Sequence, residues 1–190
     1  MTTLPELWLP IVVSGALVWI VSAIVWMALP HHKSDYRGLP DEEAARGALQ
    51  PQGLAPGLYN IPNIASRAAL KEPENQRKFA EGPVAFMTVL PNGDPAMARQ
   101  MVTTFVYFLV AGVAVAYVTG RALGPGAECM AVFRLAGTVA WLLYGWGRVL
   151  ESVWFGLPWS QQVKQLFDAL LYALATAAVF AWLWPGAMGG

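Results

Sequence analysis

The chain has 190 residues, of which 56% are hydrophobic and 13% are charged, and its 12 Lys and Arg balance its 12 Asp and Glu. A soluble domain carries about 25% charged residues, so this composition excludes a disordered chain and an ordinary soluble enzyme. The zero net charge and the lack of a basic stripe argue against nucleic-acid binding. The single cysteine, Cys129, excludes an internal disulfide and a CxxC metal site.

The composition indicates an integral membrane protein. The mean hydropathy is +0.45 and the chain has nine Trp, a residue that concentrates at membrane–water interfaces. Four runs with few or no charges are long enough to cross a hydrocarbon core of about 30 Å as helices, which rise about 1.5 Å per residue. Because backbone in lipid must satisfy its own hydrogen bonds, each run is predicted to be an α-helix.

The predicted fold class is therefore all-α integral membrane, with four transmembrane helices and a cytoplasmic insertion of about 70 residues between helices 1 and 2. In chain order, the predicted segments are transmembrane helix 1 (7–29), a cytoplasmic segment with short helices (30–100), helix 2 (101–120), a periplasmic loop (121–128), helix 3 (129–150), a cytoplasmic loop (151–165) and helix 4 (166–184).

Helix 1 is predicted to be retained rather than cleaved as a signal peptide, because no basic residue precedes it and no small-residue cleavage site follows it cleanly. One of its faces carries three Trp at helical spacing: Trp8, Trp19 and Trp26. Indoles stack on flat rings, so this face is a candidate wall for pigments, quinones or haems. The favoured alternative is lipid contact and interface anchoring, which leaves Trp19, near mid-bilayer, as the residue that needs a protein or cofactor neighbour.

The only histidines, His31 and His32, follow Pro30 at the end of helix 1. Adjacent residues at a helix end point in different directions, which excludes a haem bound between two facing histidines. A haem or chlorin contact through one His, with Trp19 beside it, stays a candidate cofactor site. The alternative is a polar pair that contacts lipid headgroups or caps helix carbonyls. A metal at His31, His32 and Asp35 lacks a visible further ligand, so no metal site is predicted.

The cytoplasmic segment is too long for a plain loop and too small and too rich in Pro and Gly to hold a strong core. Short helices are predicted near 39–49 and 73–80, and a β-prone run over 84–90 ends in a Pro-Asn-Gly-Asp turn. Its apolar side chains have too little partner surface within the segment. We expect them to dock on the membrane surface or on another subunit.

Helices 2 and 4 carry small residues at every fourth position. These ridges consist of Gly112, Ala116 and Gly120 in helix 2, and of Ala169, Ala173, Ala177 and Ala181 in helix 4. Small residues let helix backbones approach closely in lipid, so both ridges predict helix–helix packing, within this chain or with a partner.

Charges inside or beside the spans are predicted to form structural ion pairs, because an unpaired charge at the bilayer centre costs at least about 2.5 kcal/mol. Arg148, Glu151 and Asp168 all fall near the cytoplasmic end of helices 3 and 4, with Arg148 and Glu151 three residues apart. Arg134 lies near the outer end of helix 3, where it can reach a lipid phosphate or a nearby carboxylate. The functional alternative for these charges is a proton or ion step.

The orientation follows from the distribution of Lys and Arg. None precedes helix 1, most lie between helices 1 and 2, and Arg121 alone lies between helices 2 and 3. Cytoplasmic loops carry the excess of Lys and Arg. We therefore predict a multi-pass protein of the bacterial cytoplasmic (inner) membrane with both termini periplasmic.

Several stretches resemble a small family of bacterial inner-membrane proteins of about this length. The stretches are LPHHKSDYRGLPDE, EGPVAFMTVLPNG, AYVTGRALGPGAECMAVFRLAGTVAW, VWFGLPWS and FDALLYALATAAVFAWLWP. The resemblance covers most of the chain, and HHKSD and RALGPGA are its more specific parts. It implies a bacterial membrane protein with four helices, and it transfers no activity or catalytic residue.

Catalysis finds little support in the sequence, which has no nucleophile–base pair with a spare His and no Gly-rich phosphate loop. We predict no enzyme and no catalytic residue, but a non-catalytic accessory subunit of a bacterial energy-transducing complex. By analogy with other small multi-span proteins, we expect that complex to be a photosynthetic reaction-centre and light-harvesting assembly or a respiratory complex. The predicted partners of the chain are other integral membrane subunits and lipids. No intrinsic cofactor is predicted, but lipids, carotenoid or (bacterio)chlorophyll are expected at the interface with the partner.

The alternative function is a small transporter or membrane enzyme with a site between helices 3 and 4. The candidate residues of that site are Arg134, Thr138, Tyr144, Arg148 and Asp168.

Overall fold

The computed structural model describes residues 1–94 and 96–186, and the chain is mostly helical. The described part holds seven α-helices and one two-stranded sheet. The helices are α1 (Trp8–Met27), α2 (Glu42–Leu49), α3 (Pro73–Glu81), α4 (Met97–Ala122), α5 (Cys129–Gly145), α6 (Val149–Phe155) and α7 (Trp159–Trp182), and the strands are β1 (Gly57–Ile61) and β2 (Ala85–Val89).

The chain forms two compact units. The first consists of residues 1–36 together with the chain from residue 96 onward, and the second, which we call the central segment, consists of residues 37–94. The first unit contains α1 and α4 to α7, and the central segment contains the two short helices and the sheet.

Four helical stretches of the first unit are long and apolar enough to cross a membrane, which agrees with the predicted number of candidate spans. These stretches are Leu4–Met27, Met97–Ala122, Cys129–Phe155 and Trp159–Trp182. The second and fourth begin before the predicted positions 101 and 166, because each helix continues through a basic residue, Arg99 or Lys164. Arg99 is exposed, as expected of a long basic side chain that reaches water from a helix end. Lys164 instead donates hydrogen bonds to the protein, to Asp35 among others, so neither residue stops its helix.

The four spans close into a bundle in which each helix packs against two others. α1 packs on α4 and α7, and α5 also packs on α4 and α7. The third span is α5 continued by α6, joined through a 3₁₀ turn at Trp146–Arg148. Fully buried apolar side chains fill the centre of the bundle: Val18, Val115, Ala116, Val132, Ala136, Ala140 and Phe180.

The predicted small-residue ridges pack within this chain. On α4, a Cβ added to Gly112 would lie 3.4 Å from Ile11 of α1. On α5, a Cβ added to Gly137 would lie 3.1 Å from the Cβ of Ala177 on α7. The small residues therefore set the close spacing of α1 with α4 and of α5 with α7.

The helix α7 is the most deeply buried of the four spans. Its interior face begins with polar residues that are buried, namely Gln161, Gln162, Gln165 and Asp168, and continues with small and aromatic residues that end at Phe180. The interior face of α7 is therefore polar where the helix begins and mostly apolar toward its end.

The central segment has regular secondary structure but no core. Strand β1 pairs antiparallel with β2, with Tyr59 opposite Met87, and the Asp41 carboxylate accepts a hydrogen bond from the Ala44 N–H at 2.9 Å to cap α2. The helices α2 and α3 and the strand β2 confirm the predicted short helices and β-prone run. No described residue between positions 37 and 94 is buried.

Candidate functional site

A compact group of ionisable side chains lies where the chain leaves α1 and meets the first turns of α7. It consists of His31, His32, Asp35, Lys164 and Asp168, and we call it the His–Asp cluster. Pro cannot continue an α-helix, and Pro30 here opens a 3₁₀ turn, Pro30–His32, directly after α1. This turn brings both imidazoles to α7.

A single carboxylate contacts both histidines. His31 Nε2 lies 2.9 Å from Asp168 Oδ1, and His32 Nε2 lies 2.6 Å from Asp168 Oδ2. The Asp168 side chain is only 4% exposed. Because a buried carboxylate is costly unless it is paired and hydrogen-bonded, the two imidazoles are what makes Asp168 tolerable in a largely apolar helix.

A second carboxylate, Asp35, holds the other side of His32. His32 Nδ1 lies 2.6 Å from Asp35 Oδ2, and the Lys164 ammonium donates to Asp35 Oδ1 at 2.6 Å. Burial raises the pKa of the Asp35 carboxyl, but the hydrogen bonds from Lys164 and His32 outweigh it and hold that pKa below its ordinary value. Lys164 also donates to the His31 carbonyl at 2.6 Å and to the Ser34 hydroxyl at 2.8 Å, so all its protons are engaged.

The His–Asp cluster links α1 to α7 through two carboxylates. His32 has a carboxylate at each ring nitrogen, Asp35 at Nδ1 and Asp168 at Nε2. His31 contacts the other oxygen of Asp168, and Lys164 contacts the other oxygen of Asp35. Each carboxylate therefore has a partner at both of its oxygens, as a buried carboxylate requires.

Aromatic packing fixes the His32 ring. The Trp26 indole stacks on it with ring centroids 3.9 Å apart and planes within 4°. Trp26 and Trp19 also line a cavity of about 300 Å³ next to the cluster, with Met101 and Tyr172 among the other lining residues. The Trp19 indole N–H donates to the Met101 carbonyl at 3.0 Å, so Trp19 has the protein neighbour that its depth requires.

The candidate cofactor residues are only partly available for a pigment or a haem. Both His31 and His32 direct Nε2 at Asp168, so an axial ligand role for either would first break that contact. Trp26 covers one face of His32. Trp19 remains a lining residue of the cavity.

The predicted ion-pair residues fall in three places. Arg148 donates to Glu151 from Nε at 3.2 Å and from Nη2 at 3.1 Å, and both side chains are exposed. Asp168 is not part of this pair, because its oxygens face the two histidines. Arg134 is exposed, and within residues 1–94 and 96–186 it forms no ion pair.

The five residues of the predicted site between helices 3 and 4 do not all lie together. Arg134 and Thr138 line a cavity of about 240 Å³ between α5 and α7. Thr138 is exposed and donates to the backbone of its own helix, and Tyr144 contacts the Thr176 hydroxyl at 3.3 Å. Asp168 lies in the His–Asp cluster instead.

Sequence reasoning missed the contact between the histidines and Asp168 because 137 and 136 positions separate the partners. The lack of a further ligand was the ground for predicting no metal site, and Asp168 now supplies that ligand beside His31 and His32. The sequence did contain one indication of this contact: Asp168 is an isolated carboxylate in an apolar helix, where it needs a partner, and the chain has two histidines.

No family model, no curated protein and no solved structure matches the chain.

Proposed function

We propose that this chain is a non-catalytic accessory subunit of a larger complex in the bacterial inner membrane. In this proposal both termini are periplasmic, and an insertion of about 70 residues, which includes the central segment, lies in the cytoplasm, as the distribution of Lys and Arg favours. The observation that carries the proposal is the central segment itself, which is folded in secondary structure and yet buries no described residue.

A segment of this kind needs a partner surface. An isolated two-stranded hairpin is at best marginally stable in water, and small units need a core or a partner to fold. Several large apolar side chains of the central segment face outward, among them Leu58 at 83% and Leu90 at 71% exposure. Exposed apolar side chains grouped in this way mark interaction surfaces.

The partner class we favour is an energy-transducing complex, either a photosynthetic reaction-centre and light-harvesting assembly or a respiratory complex. The aromatic cavity lined by Trp19 and Trp26 supports this choice, because such complexes carry flat cofactors and lipids that pack on indoles. Lipid, carotenoid or (bacterio)chlorophyll would lie at the interface with the partner, and the closed bundle would act as a scaffold.

Native gel migration after mild solubilisation, with mass spectrometry of each band, tests the proposal. We expect the chain to migrate with larger membrane subunits. The double variant Leu58→Glu and Leu90→Glu should shift it to a free form, while Gln76→Glu, at an exposed polar position on α3, should leave it in the complex. A wild-type chain that migrates as a free monomer, with no pigment, cytochrome or large subunit beside it, would remove the proposal.

Limited proteolysis gives a second expected outcome. In the purified chain, cleavage should begin within residues 37–94, since no buried residue protects that backbone. In native membranes the same sites should be protected by the partner. Mass spectrometry of the fragments locates the cuts, and first cleavage within the spanning helices, or equal cleavage with and without the partner, contradicts the proposed docking.

A further inference from the structure

We propose that His31, His32 and Asp168 bind one divalent transition-metal ion, which we assign as Zn²⁺. This goes beyond the accessory role and does not depend on it, because the ligands all belong to the bundle. It also replaces the expectation of no metal site, which rested on ligands close in sequence.

The ligand atoms already lie near the positions that a metal requires. One atom from each of the three side chains lies within 4.8 Å of the others. Around a four-coordinate Zn²⁺ with bonds of about 2.0–2.1 Å, neighbouring ligand atoms are about 3.3 Å apart. The two contacts between imidazole and carboxylate, at 2.9 and 2.6 Å, are about 0.4–0.7 Å shorter than that spacing. They run to different oxygens of Asp168, so the side chains must rotate to place one of these oxygens beside both Nε2 atoms when the ion binds.

The donor set selects the kind of ion. Two imidazoles and one carboxylate suit a borderline cation such as Zn²⁺, whereas Mg²⁺ and Ca²⁺ take oxygen ligands. The surroundings are confined, with His32 and Asp168 at about 5% exposure or less and Trp26 stacked on one imidazole. A small four-coordinate ion, with one position left for water, fits this environment.

The outer contacts supply an independent observation. Histidines that bind metals almost always donate their other ring N–H to a carboxylate or carbonyl, which fixes the ring and its tautomer. His32 does so, with Nδ1 2.6 Å from Asp35 Oδ2, and Lys164 holds that carboxylate in turn. His32 Nε2 is thereby aimed at the proposed ion before any ion is bound.

The competing interpretation is a purely ionic clamp, in which the imidazoles neutralise the carboxylates. A clamp of this kind needs one positive group beside Asp168, and it does not require two imidazoles to direct Nε2 at the same carboxylate. The convergence of both Nε2 atoms on Asp168 is what favours an ion over a clamp.

The test uses the full-length chain, purified in detergent without a polyhistidine tag, stripped with a chelator and titrated with ZnCl₂. Equilibrium dialysis with elemental analysis gives the stoichiometry, and Co²⁺ in place of Zn²⁺ gives visible absorption bands. We expect one Zn²⁺ per chain, a rise in Tm with Zn²⁺ and no rise with Mg²⁺. A folded wild-type chain that retains no Zn²⁺, or binds it without saturation, overturns the proposal.

Variants locate the ion. His31→Ala removes the more exposed of the two imidazoles, whose side chain is 27% exposed, and should weaken Zn²⁺ binding more than tenfold. Asp35→Asn acts through His32 and should weaken it about 10- to 100-fold. Glu151→Gln, a carboxylate outside the cluster, should bind as the wild type does. If His31→Ala does not fold, by circular dichroism and elution volume, Asp35→Asn decides, and unchanged affinity in a folded variant overturns the assignment of the ligands.

Discussion

Replacement of Asp168 by Ala is expected to lower the free energy of unfolding of the bundle by about 3–5 kcal/mol, the usual cost of breaking a buried ion pair. The side chain is 4% exposed and contacts both His31 and His32. Without it, both histidines lose the carboxylate that their Nε2 atoms contact, and Asp35 alone remains as a carboxylate partner for His32 and Lys164. Of the two carboxylates that connect the end of α1 to α7, only Asp35 would then remain.

The measurement is denaturant or thermal unfolding in detergent, followed by circular dichroism, with a chelator present so that bound metal makes no contribution. Glu151→Ala is the matched control, because it removes a carboxylate that is 40% exposed and paired with an exposed Arg148. Exposed pairs of this kind contribute about 0–1 kcal/mol. A stability of Asp168→Ala within about 1 kcal/mol of the wild type would show that the cluster does not hold α1 to α7.

Gly145→Leu is expected to destabilise the bundle by about 1–3 kcal/mol or more, the cost of adding atoms to a packed interface. A Cβ at position 145 would lie 3.0 Å from the Cβ of Ala169 and 3.0 Å from Leu166 Cδ2, both on α7. In lipid, helices associate through close packing rather than through a hydrophobic force, so α7 has to move away from α5 to admit the larger side chain.

Gly147→Leu provides the control, because a Cβ there would meet no atom within 4 Å. The two positions lie two residues apart at the end of the same span, so composition and depth are matched. Unfolding of both variants in the same detergent gives the comparison. Equal stabilities would mean that the approach of α5 to α7 at Gly145 does not limit the packing.

Local sequence patterns were sufficient for the number of apolar helices and for α2, α3 and β2 of the central segment, whereas strand β1 was not predicted. The apolar runs that identified the four helices depend only on neighbouring residues, and so does the Pro-Glu start of α3. The ends of the spans were harder to predict, because Arg99 and Lys164 both lie inside helices. Arg99 is exposed, and Lys164 is held by the His31 carbonyl and Asp35. Charge alone does not end a helix at a membrane boundary.

Local sequence patterns did not predict which distant parts of the chain are in contact. The small residues on α4 and α7 predicted close packing without naming the partner helices, which the structure identifies as α1 and α5. The His–Asp cluster was missed for the same reason, since it joins residue 31 or 32 to residue 168. Its members were each conspicuous alone, and only the fold shows that they meet.

The polar interior face of α7 also bears on how the chain is made. The first two spans have mean hydropathies of 2.2 and 2.1, whereas the last two have 1.3 and 1.4. Because polar side chains are costly in lipid, a helix that begins with Gln161, Gln165 and Asp168 enters more cheaply once other helices cover them. Because α1 and the histidines that follow it leave the ribosome before α7, the groups that contact the polar face of α7 are already present when α7 is inserted.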